Sequence, residues 1–222
     1  MSKCAVIISG GALDDAFALD VLNEIEDRLV IGVDAGVKFL YRNQILPNYI
    51  VGDFDSLSEE IVTYYKKETK VPIREFNPVK DASDTEIAIR FGMTLGCERL
   101  IILGATGNRM DHMWANVQSL SIALKAGVQA EILDKWNRIR LIDGRTVLKR
   151  EEAFGKYFSI FPLGSNVMDL SITGAKYPLS HYTLTSSCSM CVSNEFSSDE
   201  VTIDFPIGVV ILMETRDKSD IR

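Results

Sequence analysis

Two aspartates separated by a single residue, Asp53 and Asp55, are the clearest candidates in this sequence for residues that take part in chemistry. They lie in the segment Gly52-Asp53-Phe54-Asp55-Ser56, which joins a short apolar run to a run of helical type. In an extended backbone their carboxylates point to the same side, and at about 4 Å they would repel by roughly 4 kcal/mol at an effective dielectric of about 20. A divalent cation would remove this repulsion, and Mg2+ commonly binds one or two carboxylates together with substrate phosphates. The simpler alternative is that both aspartates cap the following helix or belong to an ordinary loop.

Polar and glycine-rich turns also follow other strands that the sequence predicts. Because the carboxyl ends of parallel strands share one edge of a sheet, these turns can converge on a single ligand. Glycines allow backbone N–H groups to approach phosphates closely, and helix N-termini attract anions. The turns are Ser9-Gly10-Gly11, Asp34-Ala35-Gly36, the segment from Asp81 to Asp84, and the segment from Gly104 to Asp111.

Charged side chains in these turns indicate phosphoryl transfer. Asp81 and Asp84 extend the acidic group formed by Asp53 and Asp55. Arg109 is a candidate clamp for phosphates. Mg2+, phosphates and an arginine are the parts that this chemistry requires, because it depends on positioning and on charge stabilisation.

Each of these features also has a structural alternative. Gly10 and Gly11 are compatible with a plain tight turn, and Arg109 with a solvated surface position. His112 and Asn116 lie one helical turn apart and could form a structural hydrogen-bonding pair. What favours chemistry is the common placement of these residues after strands.

The first 133 residues alternate short apolar runs with amphipathic ones, which predicts a mainly parallel sheet with helices on both faces. One predicted helix begins after Ser83, which has capping-box spacing to Glu86, and ends before Gly96. Strands are predicted at residues 4–9, 29–33, 49–51, 71–75, 99–103 and 128–133, and the other helices at 14–27, 37–43, 58–67 and 110–126.

The pattern changes near Asp134, after which short strand-like runs alternate with turn residues. Such spacing is typical of an antiparallel β-sandwich. We therefore predict an α/β domain at residues 1–133 and a β-sandwich domain at residues 134–222. The strands are expected at residues 138–142, 147–149, 157–161, 167–172, 191–194, 201–205 and 209–213.

Three remaining side chains in this half are not expected to do chemistry. His181 falls in a predicted loop without an evident partner. Cys188 and Cys191 are three residues apart, so in an extended strand they would face opposite sides. No second cysteine pair or nearby histidine completes a zinc site with them.

Composition excludes several classes of function. With 222 residues, of which 46% are hydrophobic, the chain can form a sizeable core. A net charge of -7 argues against a nucleic-acid partner, which needs clustered lysines and arginines. No apolar run approaches the roughly 18 residues of a membrane span, and the N-terminal segment is not of the signal-peptide type. Four scattered cysteines fit a reducing cytoplasm, so we expect a cytoplasmic protein without a membrane partner.

The motifs together resemble those of the thiamine pyrophosphokinase (thiamine diphosphokinase) family. They are spread over most of the chain and occur in the order found in that family. They comprise Gly52-Asp53-Phe54-Asp55-Ser56, Asp81-x-x-Asp84-x-Glu86, Gly104-Ala105-Thr106-Gly107-x-Arg109-x-Asp111-His112 with Asn116, and the later stretches Gly174-Ala175-Lys176-Tyr177-Pro178-Leu179 and Val192-Ser193-Asn194-Glu195-Phe196.

This resemblance implies an activity and an assembly. The α/β domain would bind ATP as co-substrate with Mg2+, the sandwich would bind thiamine, and two chains would form a homodimer with shared active sites. The reaction would transfer the pyrophosphoryl group of ATP to the hydroxyl of thiamine, giving thiamine diphosphate and AMP.

The resemblance and the turn pattern together assign residues to roles. The catalytic group is Asp53, Asp55, Asp81 and Asp84, of which Asp53, Asp55 and Asp84 would bind the metal. The nucleotide-binding group is Gly10, Gly11, Asp34, Gly36, Thr106, Gly107, Arg109, Asp111 and His112, and the substrate-binding group is Asn116, Ser193 and Asn194.

Three other functions stay open at this point. A related pyrophosphokinase could act on another heterocyclic alcohol, such as a hydroxymethylpterin, and only the C-terminal half would distinguish it. An aspartyl phosphatase would use one aspartate as a nucleophile and form a phosphoaspartate. A non-catalytic nucleotide- or thiamine-binding module would bind ligands without releasing AMP.

Overall fold

The structure is a computed structural model that describes residues 3–52, 55–74, 82–107 and 109–220. The chain divides into two compact units, Met1–Lys135 and Trp136–Arg222. Among the described residues, none of the helices combines the length and the apolar character that a membrane span requires.

Unit 1 contains a parallel sheet whose described strands lie in the order β6-β5-β1-β2-β3-β4. All five residues of β1 are buried, and so are four of the five in β5, as expected for strands covered on both faces. The parallel sheet predicted from the alternating pattern is confirmed. The strands are β1 (Cys4–Ile8), β2 (Arg28–Val33), β3 (Tyr49–Val51), β4 (Ile73–Arg74), β5 (Arg99–Leu103) and β6 (Gln129–Leu133).

The helices of unit 1 cover both faces of this sheet. A Cβ at Gly92 of α4 (Asp84–Thr94) would contact Ile31 of β2. A Cβ at Gly32, the next residue of β2, would lie 2.8 Å from Leu40 of α2 (Val37–Arg42). Neighbouring residues of a strand face opposite sides, so α4 and α2 pack on opposite faces of β2. The helices are α1 (Asp15–Glu24), α2 (Val37–Arg42), α3 (Glu59–Thr63), α4 (Asp84–Thr94) and α5 (Met110–Lys125).

Local sequence signals set the ends of α4. The hydroxyl of Ser83 accepts a hydrogen bond from the Glu86 N–H at 3.2 Å, so the predicted cap is confirmed. Gly96 adopts a φ of 77° just after the helix, which is the usual conformation of a C-terminal glycine. The third predicted helix instead changes type, because a π-helical segment, Tyr64–Glu68, continues α3.

Unit 2 consists of two antiparallel sheets, with the orders β12-β9-β14-β7 and β11-β10-β13-β8 among the described strands. Residues of both sheets share one hydrophobic core, in which Phe158 and Leu212 of the first sheet join Leu170 and Ile203 of the second. The predicted β-sandwich is therefore confirmed. Its strands are β7 (Asn137–Ile142), β8 (Thr146–Lys149), β9 (Tyr157–Pro162), β10 (Val167–Thr173), β11 (Leu179–Leu184), β12 (Asn194–Glu195), β13 (Glu200–Asp204) and β14 (Val210–Thr215).

Two expectations about unit 2 were wrong. His181 lies in β11 rather than in a loop, and its Nδ1 is 2.5 Å from Asp169 Oδ1. The strand expected at residues 191–194 is mostly a turn, and only Asn194 of it belongs to β12. A left-handed backbone at Ser193, with a φ of 57°, interrupts the run that the apolar residues suggested.

Candidate active site

A cleft of about 620 Å³ in unit 1 brings together most of the residues predicted to bind a nucleotide. Its walls come from the turns after β1, β2 and β5 and from the first turns of α4 and α5. The predicted site residues that line it are Gly10, Gly11, Asp34, Asp84, Thr106, Gly107, Arg109, His112 and Asn116. Gly36 is not among the lining residues and is buried, and a Cβ there would lie 2.1 Å from the Ile8 carbonyl oxygen.

The two glycine-rich turns are joined directly by their backbones. The N–H of Gly11 donates to the Gly104 carbonyl at 2.7 Å, and the N–H of Ala12 donates to the Thr106 carbonyl at 2.7 Å. A Cβ at Gly11 would lie 2.3 Å from the Thr106 oxygen, so only glycine permits this approach. The paired turns form one rigid wall of the cleft.

Asn116 braces the same wall from α5. Its Nδ2 donates to the Ala105 carbonyl at 2.9 Å, and the side chain is buried. The hydrogen bond thus goes to the turn, whereas the sequence left a pairing with His112 open. His112 itself is exposed on the cleft.

Asp34 occupies an unusual backbone conformation at the end of β2. Its φ is 44°, a region that non-glycine residues rarely adopt and that often marks functional sites. Gly52 accommodates this side chain, because a Cβ on Gly52 would lie 2.3 Å from Asp34 Oδ1. The glycine before the acidic turn is therefore required by packing against Asp34.

Asp84 is the first residue of α4 and lines the cleft. The next residue, Thr85, is buried, and its hydroxyl lies 3.0 Å from that of Ser9 at the end of β1. This buried contact ties the N-terminus of α4 to the sheet edge. It fixes the position of the backbone that carries the Asp84 side chain.

Three other carboxylates were predicted for the catalytic group, those of Asp53, Asp55 and Asp81. Asp53 and Asp81 lie outside the described residues, and Asp55 is exposed. Within the described ranges, no group of three or more histidine, cysteine, aspartate or glutamate side chains could hold a metal. Asp84 and Asp55 nevertheless supply the oxygen donors that suit Mg2+, which needs only one or two carboxylates beside phosphates.

Arg109 and Asp111 form an exposed pair at the start of α5. The guanidinium donates from Nε at 3.2 Å and from Nη2 at 2.6 Å to the two carboxylate oxygens of Asp111. This contact lowers the pKa of Asp111 to about 2. Arg109 is therefore partly neutralised by Asp111, which is its anionic partner rather than part of the cleft lining.

In unit 2, Asn194 is buried and its amide is hydrogen-bonded to backbone. Its Oδ1 accepts from the N–H groups of Tyr177 at 3.0 Å and Glu195 at 2.9 Å, while its Nδ2 donates to the Tyr177 carbonyl at 2.8 Å. Ser193 is exposed, and its N–H donates to Ser159 Oγ at 2.9 Å. Asn194 thus holds the segment around Tyr177 in place. One hydrogen of its amide group is left for a hydrogen bond to a ligand.

Two family models match the chain. The thiamin pyrophosphokinase catalytic domain matches residues 23–132, and the thiamin pyrophosphokinase vitamin B1 binding domain matches residues 145–210. The thiamine pyrophosphokinase of Bacillus subtilis is 30% identical over 193 residues, which are 86% of this chain and 89% of that protein. The chain belongs to the thiamine pyrophosphokinase family.

Solved structures of thiamine pyrophosphokinases share the fold. The crystal structure from Bacillus subtilis has a TM-score of 0.86 at 28% identity, covering 97% of this chain and 100% of that chain. The structure from Geobacillus thermodenitrificans has a TM-score of 0.84 at 28% identity, covering 99% and 100%. Family membership makes this protein an enzyme, a transferase of the kinase type. The reaction of this family is the synthesis of thiamine diphosphate.

Sequence reasoning assigned no role to three polar residues at or beside the cleft. Ser9 and Thr85 line it and form the buried contact described above. Asp134 follows β6 and accepts a hydrogen bond from Thr106 Oγ1 at 2.8 Å. The capping-box spacing points to Ser83 and Glu86, whereas nothing in the local sequence signals a tertiary contact for Thr85 between them.

Proposed function

We propose that this enzyme transfers the pyrophosphoryl group of ATP to the hydroxyl of thiamine. The thiamine oxygen attacks the β-phosphorus, the bond from that phosphorus to the oxygen of the α-phosphate breaks, and AMP leaves. The hydroxyl proton is released as the new O–P bond forms, so the products are thiamine diphosphate, AMP and a proton.

One observation supports this proposal above the others. A single cleft is lined by joined glycine-rich turns, by Asp84 at a helix N-terminus and by Arg109. Backbone N–H groups and helix N-termini bind phosphates, and a guanidinium binds them bidentately. That donor set suits a nucleoside triphosphate, and the family match indicates which acceptor to test.

We propose Mg2+ as the metal, held by Asp53, Asp55 and Asp84 with Asp81 beside them. When bound, it would neutralise charge on the phosphates and orient them. The chain's own residues bind and position the nucleotide: Arg109 exchanges Asp111 for phosphate oxygens, and Asp34, Gly36 and His112 shape the nucleotide side. Gly10, Gly11, Thr106 and Gly107 form its wall.

We propose that residues 134–222 bind thiamine through Ser193 and Asn194, with Asn116 completing the substrate side from residues 1–133. We also propose a homodimer with shared active sites. A cytoplasmic location is part of the proposal, and the four free thiols support it because they suit a reducing compartment.

The test is an incubation of the protein with Mg2+, ATP and thiamine, followed by chromatography of nucleotides and thiamine esters. We expect AMP and thiamine diphosphate in equal amounts. ADP with thiamine monophosphate would contradict pyrophosphoryl transfer. Turnover of a hydroxymethylpterin in place of thiamine would contradict the proposed acceptor, and a phosphoprotein detected by mass would indicate an aspartyl phosphatase.

A further inference from the structure

The hydroxyl of Thr106 donates its proton in a hydrogen bond to Asp134. Thr106 Oγ1 donates to Asp134 Oδ2 at 2.8 Å, and an ionised carboxylate can only accept. A threonine hydroxyl has one proton and two acceptor lone pairs. Towards the cleft, which Thr106 lines, its oxygen can therefore act only as an acceptor.

Two hydrogen bonds hold the backbone at Thr106. Its carbonyl accepts from the Ala12 N–H at 2.7 Å, and the preceding carbonyl, of Ala105, accepts from Asn116 Nδ2 at 2.9 Å. The Thr106 side chain is partly buried between these attachments. The backbone contacts hold the main chain that carries the hydroxyl, and the hydrogen bond to Asp134 sets the direction of its proton.

A hydrogen-bond acceptor at this place disfavours the phosphate groups of a nucleotide and favours groups that donate hydrogen bonds. Phosphate oxygens are acceptors, so they would gain no hydrogen bond from this hydroxyl. In ATP the donors are the two ribose hydroxyls and the amino group of the base. The ribose hydroxyls are the donors nearer to the phosphates, and the candidate phosphate clamp, Arg109, is only three residues along the chain from Thr106.

We infer that Thr106 accepts a hydrogen bond from a ribose hydroxyl of the nucleotide, and that Asp134 is the positioning residue that enforces this polarity. The inference rests on the proposed use of a nucleotide by this cleft. It assigns to the Thr106 hydroxyl a selectivity for ribonucleotides over deoxyribonucleotides.

The experiment measures dissociation constants by calorimetry for ATP, 2′-deoxy-ATP and 3′-deoxy-ATP with Mg2+ and without thiamine, so that no turnover occurs. For the wild-type protein we expect one of the two deoxynucleotides to bind about 3- to 10-fold more weakly than ATP, the effect of losing one neutral hydrogen bond. Thr106→Val should bind that deoxynucleotide and ATP equally. Thr106→Ser, which keeps the hydroxyl, should retain the difference.

Asp134 is tested by a second pair of variants. Asp134→Ala releases the Thr106 proton. We therefore expect the ratio of the dissociation constants of the deoxynucleotide and ATP to fall towards one. Asp134→Asn should restore the preference, because its Oδ1 still accepts. A change in stability alone would affect all three nucleotides alike, and the ratio between them would not move.

Several results would overturn the inference. They are equal binding of all three nucleotides to the wild type, an unchanged ratio in Thr106→Val, and an unchanged ratio in Asp134→Ala. Absence of nucleotide binding would overturn it together with the proposed function. If ATP binds and AMP with thiamine diphosphate is formed, but the ratios do not respond, only the inference fails.

Discussion

At the scale of single residues, Asp84 and Glu86 offer a matched pair of carboxylates. Both lie in the first turn of α4, but Asp84 lines the cleft whereas Glu86 pairs with Arg90 on the outer surface at 2.8 Å. We expect Asp84→Asn to lower kcat/KM by roughly 100-fold or more, in the range seen when one charge-stabilising group is lost. The assay for AMP formation at several Mg2+ concentrations measures this.

Glu86→Gln is the control for that substitution. It removes the same charge from the same helix N-terminus, so the loss of helix-dipole stabilisation should be similar, about 0.3–1 kcal/mol. Activity should stay within about threefold, because an exposed ion pair contributes little. Equal losses of activity in the two variants would show that Asp84 acts only through the helix.

Asn194 leads to a prediction about stability that is separate from catalysis. Its amide makes three hydrogen bonds to the backbone around Tyr177 and Glu195 while buried. Asn194→Ala leaves those groups unpaired and should cost about 1–3 kcal/mol in the free energy of unfolding.

Ser193→Ala is the comparison, since it removes an exposed hydroxyl next to Asn194, and its cost should be within about 0.5 kcal/mol. Urea titrations of the two variants give both values. If Asn194→Ala is as stable as the wild type, the structural role derived from its contacts is wrong.

Residue types and their placement after strands predicted the lining of the cleft well but missed its supports. Gly11, Thr106 and Arg109 stand in turns that the strand pattern locates. The partners Ser9 and Thr85 are 76 residues apart, and no periodicity signals a hydroxyl pair formed only by tertiary packing. The same holds for Asp134 and Thr106, which are 28 residues apart.

At the scale of elements, the close approach of two turns carries a prediction. A Cβ at Gly11 would lie 2.3 Å and 2.6 Å from the carbonyl oxygens of Thr106 and Gly104, neither of which can move without breaking the turn pairing. Gly11→Ala should therefore destabilise the protein by about 1–3 kcal/mol. It should also raise the dissociation constant for ATP, because the cleft wall is displaced.

Gly144→Ala is a suitable control, since a Cβ there meets nothing within 4 Å. Its unfolding free energy should stay within about 0.5 kcal/mol of the wild type. Thermal unfolding and ATP calorimetry on both variants test the difference. If Gly11→Ala binds ATP normally, the paired turns do not form the nucleotide wall.

The elements that the sequence failed to predict have a common physical cause. β11 pairs with β10 through register shifts, and His181 within β11 has a positive φ of 50°. Ser193, directly before β12, has a positive φ of 57°. These irregularities destroy the alternation by which a half-buried strand is recognised. The regular β13 showed clean alternation and was predicted to within one residue at either end.

At the scale of the whole molecule, the two family matches fall in different units. The catalytic match ends at residue 132 and the vitamin B1 binding match begins at residue 145, on either side of the division between Lys135 and Trp136. Each unit has its own buried core. The catalytic-domain match and the vitamin B1 binding match therefore fall in separately packed parts of one chain.

The proposed sharing of sites is tested by complementation between two inactive variants. Asp53→Asn removes a proposed metal ligand from one unit. Ser193→His places a bulky ring at the proposed thiamine contact in the other, and histidine is among the residues that tolerate the left-handed backbone found there, where φ is 57°. Each homodimer should be inactive.

After mixing and reassembly, half the dimers would combine the two variants, and each of these would contain one site free of both substitutions. Roughly a quarter of wild-type activity should return. Subunit exchange is verified with two affinity tags. A heterodimer of Asp53→Asn with wild type, purified through both tags, serves as the reference, because it contains one intact site whether the sites are shared or lie within single chains. If exchange is complete and the mixture stays inactive while the reference regains activity, each site lies within a single chain.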